Sequence, residues 1–163
     1  MVGRAGADEY GSERQVTDAI VLDSTPLGIL SHPRNPPHAA DCRRWLGNLL
    51  TAGRRVIVAE IADYEVRRSL IRRGSTRAIS ILDDLGLKLG YLPLTTVALR
   101  RAAELWAAAR IAGQQTAPDL ALDCDVILAA QALTLGEPVI VATANTSHLS
   151  RYVPAAFWKS IAP

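Results

Sequence analysis

Three short apolar runs constrain this chain most: Ala19-Ile20-Val21-Leu22, Val56-Ile57-Val58-Ala59 and Val139-Ile140-Val141-Ala142. Each is too short for a helix, lacks polar alternation and is bounded by polar or turn-forming residues. A strand buried on both faces reads this way. Leu89 to Leu92, just before Pro93, is expected to add a strand, and Phe157 to Ile161 a short edge strand. Helical patterns fill the intervals. One starts at Ser24-Thr25-Pro26, and a second runs from about His38 to Leu50 and stops near Gly53. Others span Ile61 to Arg73, ending at Gly74, then about Thr76 to Leu85 and Thr95 to Ala112. The last covers about Leu122 to Leu135, closed by Gly136 and Pro138. Strands alternating with helices predict an α/β fold around a mostly parallel sheet of four to five strands, flanked by helices through right-handed crossovers.

Residues 1–17 are rich in glycine and charge and have no hydrophobic period. They are expected to form a disordered lead, and residues 18–163 a single domain. Of the 163 residues 49% are hydrophobic, enough for one core, and the net charge is only +2, so no global basic field marks a nucleic-acid binder. The basic residues are nevertheless almost all arginine, with Lys88 and Lys159 the only lysines. A guanidinium grips phosphate oxygens by two points, although a GC-rich genome would produce the same bias. Cys42 and Cys124 match no zinc or redox spacing, and buried thiols in a reducing cytoplasm account for them. No apolar stretch approaches the roughly 18 residues of a membrane span, so a cytoplasmic protein with no membrane role is expected.

The acids carry the chemistry. Asp23 ends the first strand, where open parallel sheets bind ligands, although an Asp there also caps the next helix. Glu65 shares a helix face with Arg68 and Arg72, which reads either as a surface ion-pair ladder or as a carboxylate beside phosphate-binding arginines. Leu122-Asp123-Cys124-Asp125-Val126-Ile127-Leu128-Ala129-Ala130 gives the sharpest signal, because Asp125 opens a helix that is apolar all round. A carboxylate there needs a partner, a capping role or a cation. Asp123 and Asp125 point about 200° apart on a helix, so Asp123 suits the N-cap and Asp125 the ligand role.

In order, the Asp of AIVLDSTPLGIL, the Glu of VIVAEIADYEVRRSLIRR, the Asp of LDCDVILAAQAL and the T-x-N of VIVATANTSHLSRYV resemble the PIN-domain family across about residues 19–153. The resemblance implies a three-layer fold with acids gathered at the strand carboxyl ends. Many bacterial members are VapC-type toxins, endoribonucleases paired with a small antitoxin, so an RNA substrate, an antitoxin partner and a homodimer are implied. Asp23, Glu65 and Asp125 would then carry Mg²⁺ or Mn²⁺, with Asp123 the less favoured ligand. Glu60 is an alternative to Glu65, but it belongs to the strand–helix junction. The chain departs from the family at Thr143-Ala144-Asn145-Thr146-Ser147-His148, where many members carry a fourth acid and this one has none. The resemblance gives Asn145 the task of offering an amide oxygen or holding a water, with Thr143 orienting it or meeting a substrate phosphate. His148 is read as a packing or phosphate-contacting residue.

Phosphodiester hydrolysis requires an activated water and stabilisation of phosphate charge. Hard divalent ions, which prefer carboxylate oxygens, supply both. On this reading Arg68 and Arg72 hold the substrate backbone. A PIN-like RNA-binding or regulatory protein without cleavage is the competing class, favoured by the missing fourth acid. A phosphotransferase of the haloacid dehalogenase type would need an Asp where Thr25 stands, and no Gly-rich phosphate loop occurs.

Overall fold

A computed structural model describes residues 18–115 and 117–163, so the expected lead over residues 1–17 lies outside the described residues. Strands β1 (Ala19–Leu22) and β2 (Val56–Ala59) are buried along their whole length, as runs without polar alternation must be. They join β3 (Gly90–Leu92), β4 (Val139–Thr143) and β5 (Ala155–Phe157) in one parallel sheet of order β3-β2-β1-β4-β5. Register pairs Val21 with Ile57 on one side and with Val141 on the other. The chain therefore leaves central β1 toward one edge and later returns to its other flank. That reversal opens a crevice between the carboxyl ends of β1 and β4.

Among the described residues, seven α-helices flank the sheet: α1 (Ser24–Leu30), α2 (Pro37–Thr51), α3 (Glu60–Arg72), α4 (Thr76–Lys88), α5 (Thr96–Ile111), α6 (Cys124–Leu133) and α7 (Thr146–Leu149). Gly74 and Gly136 follow α3 and α6 at φ of 63° and 65°, left-handed conformations that cost a side chain energy and so terminate a helix. In α6, Val126 through Ala132 are buried without interruption, so the all-apolar pattern marks the most enclosed helix. Ile20, Leu22, Leu27, Ile57, Leu82 and Leu128 are among the largest fully buried side chains of the core.

Two polar side chains tie helices within this frame. Gln131 of α6 is fully buried; its Oε1 accepts from the Ile61 amide (3.1 Å) and its Nε2 donates to the Leu92 carbonyl (2.9 Å). One side chain thus satisfies an orphan donor in the first turn of α3 and fastens it to the end of β3. Arg67 grips buried Asp63 by Nε (2.6 Å) and Nη2 (3.0 Å) and reaches Asp83 of α4 (2.7 Å).

Several boundaries differ from expectation. The tail strand is Ala155–Phe157 rather than Phe157 to Ile161, and Trp158–Ser160 form a 3₁₀ turn. Pairing starts earlier because the Val141 amide donates to the Pro154 carbonyl (2.8 Å). It stops where Trp158 turns inward against Trp45, with ring centres 5.4 Å apart, and Trp45 Nε1 donates to the Ile161 carbonyl (3.1 Å). Helix α4 continues past Leu85 to Lys88, and α7 was not expected.

Candidate active site

Asp23 stands at the β1 end of the crevice and is 6% exposed. Its own amide donates to the Ala142 carbonyl (3.0 Å), which carries the β1–β4 pairing to the rim. Its Oδ1 accepts from the Ser24 amide (2.6 Å), capping α1, and its Oδ2 accepts from Thr143 Oγ1 (2.7 Å). The Thr143 hydroxyl in turn accepts from the Asn145 amide (2.8 Å). The carboxylate is thereby immobilised from both strands that border the crevice.

Glu65 projects from α3, and its side chain is 24% exposed. The Cys124 thiol and the Ser24 side chain stand close enough to influence it, and Arg68 Nη2 lies 3.6 Å away. Burial holds the Glu65 carboxyl above the ordinary range; the polar Cys124 and Ser24 side chains and Arg68 oppose that shift, while the charge of Asp23 adds to it. Asp125, in the first turn of α6, is raised by burial and again by Asp23, against the pull of His148, whose Nδ1 lies 3.3 Å from Oδ2. Asp23 thus acts electrostatically on both other acids. Burial, with Glu65 next, pushes the Cys124 thiol up to about 12, so it stands beside Glu65 as a neutral donor.

Three carboxylates from three separate elements therefore share one field at the carboxyl edge of the sheet. Among the described residues, no three His, Cys, Asp or Glu side chains are arranged to ligate one ion directly. Partly buried acids that repel one another still suit a small hard cation that keeps most of its waters and takes few direct protein oxygens.

The family profile described as PIN domain matches residues 20–152. The chain belongs to the PIN-domain family. Among solved structures, FitAcB from Neisseria gonorrhoeae matches this PIN domain with a TM-score of 0.64 at 19% identity, covering 87% of this chain and 99% of that one. VapBC-1 from nontypeable Haemophilus influenzae gives 0.64 at 15% identity, covering 87% and 99% respectively. VapBC2 from Rickettsia felis, bound to a DNA fragment from their promoter, gives 0.63 at 13% identity, covering 85% and 97%. At such identities the likeness is one of fold. No curated protein matches in sequence.

Other expected site residues of this PIN domain have distinct settings. Asp123 is the N-cap of α6, its Oδ1 accepting from the Val126 amide (3.3 Å). Glu60 accepts from the Leu94 amide (2.5 Å). Asn145 is exposed, and its Oδ1 accepts from Ser147 Oγ (3.0 Å). Thr143 requires a correction: it is fully buried and its hydroxyl is committed to Asp23 and Asn145, so it faces no substrate phosphate. Arg68 lies over the Tyr64 ring at 5.2 Å besides approaching Glu65, whereas Arg72 is exposed a turn farther on. Sequence reasoning missed His148 as the partner of Asp125, and Cys124 and Ser24 as partners of Glu65. The one available signal was adjacency, since Ser24 follows Asp23 and Cys124 precedes Asp125.

Proposed function

We propose that this PIN domain is a Mg²⁺- or Mn²⁺-dependent endoribonuclease that hydrolyses RNA phosphodiester bonds as the toxin of a type II toxin–antitoxin pair. The observation that carries the reading is the shared field of Asp23, Glu65 and Asp125 at the carboxyl edge of the sheet, where burial, with the charge of Asp23 adding to it, raises both Glu65 and Asp125. Clustered acids of this kind destabilise a fold unless a cation compensates them. Asp23, Glu65 and Asp125 would hold the ion, directly or through water, and the ion supplies an activated water and charge for the phosphate.

The chain's own residues do the positioning. Thr143 and the Ser24 amide hold Asp23 still, with both oxygens engaged by donors. Cys124 and Ser24 orient Glu65, and His148 orients Asp125. Arg68 moves between Glu65 and a substrate phosphate, and exposed Arg72 extends the same basic surface. The substrate is single-stranded or looped RNA, whose backbone is accessible to such a shallow site.

The VapC-type resemblance supports a small antitoxin as partner, a homodimer and a cytoplasmic setting, and the fold likeness to chains of the VapBC and FitAcB structures agrees with it. Among the described residues no helix is long and apolar enough to cross a membrane. The test is cleavage of a mixed RNA pool, which chelator and Asp125→Asn should each abolish. One observation favours a PIN-like protein that binds RNA without cutting it: residues 143–148 contain no carboxylate. Chelator-insensitive RNA binding with no cleavage at any ion concentration would select that second reading.

A further inference from the structure

A groove runs away from the acid cluster between α1 and α3. Its near part, about 280 Å³, is lined by Ser24, Glu65, Arg68 and Arg73; the adjoining part, about 340 Å³, by Ser31, His32, Arg34, Arg73 and Ser75. The two share Gly28, Leu70 and Arg73, so they form one continuous channel. Among the described residues, Glu65 is the only carboxylate in either lining. Beyond it the walls offer guanidinium, imidazole and hydroxyl groups.

Among the described residues, neither Arg34 nor Arg73 pairs with a carboxylate, whereas Arg44, Arg55, Arg67, Arg101 and Arg110 do. The loop that carries Arg34 is braced from below. Arg43 Nη1 donates to the Arg34 carbonyl (3.2 Å), Arg43 also binds Asn35 Oδ1 and the His32 carbonyl, and the Arg34 amide donates to His32 Nδ1 (3.1 Å). A loop held by its carbonyls, with its own cation left unpaired, is preorganised to receive an anion.

We infer that this groove is a backbone track for single-stranded RNA, with Arg73 and Arg34 holding the phosphates that follow the one placed at Asp23, Glu65 and Asp125. The inference rests on the proposed function for the identity of the polyanion and adds a second binding region to it. Charge separation along the channel sets the direction: acids with their cation at one end, unpaired arginines at the other. The track grips phosphates and leaves base identity unread, so it contributes affinity and length dependence.

The test uses the full chain carrying Asp125→Asn, so that bound RNA stays intact, with and without R34A/R73A, in the presence of Mg²⁺. Fluorescence anisotropy of a labelled single-stranded RNA is followed across a KCl series. Loss of two phosphate contacts should lower the slope of log affinity against log salt by about 1.4, at ~0.7 per contact on a single strand. The affinity gained by lengthening the oligonucleotide should shrink in parallel. An unchanged slope overturns the track, as does failure of the parent to bind any single-stranded RNA. An R34A/R73A variant that binds RNA as its parent does but no longer captures a co-expressed small partner protein also overturns it, in favour of a peptide groove. Cleavage by the unsubstituted chain reports separately on the nuclease reading: cleavage with an unchanged slope removes only the track, and a reduced slope without cleavage removes only the hydrolysis. Melting temperatures of both variants exclude unfolding as the cause.

Discussion

Thr143 donates its hydroxyl hydrogen to Asp23 at 2.7 Å across the boundary between β1 and β4, linking residues 120 positions apart in the chain. Each stands at the carboxyl end of a strand, and the two strands flank the point where the strand order reverses. The bond makes the crevice a rigid platform for one carboxylate, and that carboxylate acts on the other two acids.

Removing this hydroxyl should be costly to function. Thr143→Val keeps the volume but leaves Asp23 Oδ2 and the Asn145 amide without that partner. An outer-shell loss of this kind costs about 10–100-fold in metal affinity or activity. Metal-titrated melting and RNA cleavage should both show the loss, and Thr143→Ser should restore most of it. Full activity in Thr143→Val would show that Asp23 needs no such support.

Without metal, the protein should lose stability as pH rises from below the ordinary carboxylate range through the raised values of Glu65 and Asp125. The sign follows from linkage: both acids bind protons more tightly folded than unfolded, so the unfolded state ionises first and gains. In chelator, Glu65→Gln and Asp125→Asn should therefore melt higher than the parent at neutral pH. Mg²⁺ or Mn²⁺ should stabilise the parent and have little effect on Asp23→Ala or Asp125→Ala. Equal stabilisation of all three proteins would count against a shared ion.

Arg67→Ala should destabilise the fold by about 2 kcal/mol, since it strips a buried carboxylate of its guanidinium partner. For a chain of this size that is roughly 4–8 °C in melting temperature. The double substitution Asp63→Ala/Arg67→Ala should be milder than the sum of the singles, and a thermal double-mutant cycle measures the difference.

Gln131→Leu should cost about 2–3 kcal/mol, because the Ile61 amide and the Leu92 carbonyl both lose the partner that Gln131 supplies. Chemical denaturation gives the stability. Hydrogen exchange at Ile61 should accelerate more than at the centre of α6, because the first turn of α3 is the part uncapped.

Much of this architecture was legible along the chain. Buried strands appear as uninterrupted apolar runs, and helices as periodic faces closed by Gly74 or Gly136, because these signals depend on neighbours within a few residues. The placement of Asp23 at a strand end and of Asp123 as a helix cap belongs to the same local grammar. The tail strand starts two residues and ends four residues before the expected bounds, because it ends where Trp158 meets Trp45, a contact that no local pattern encodes.

The sequence by itself determined most of the elements, their largely parallel arrangement and the acids that end or begin them, but neither α7 nor the bounds of β5. Only the tertiary structure decided which groups meet: Thr143 with Asp23, His148 with Asp125, Cys124 with Glu65, and Gln131 with two backbones. The physical reason is range. Periodicity and capping are written between residues a turn apart, whereas a hydrogen bond between remote side chains depends on strand order and helix packing, which exist only once the chain has closed on itself.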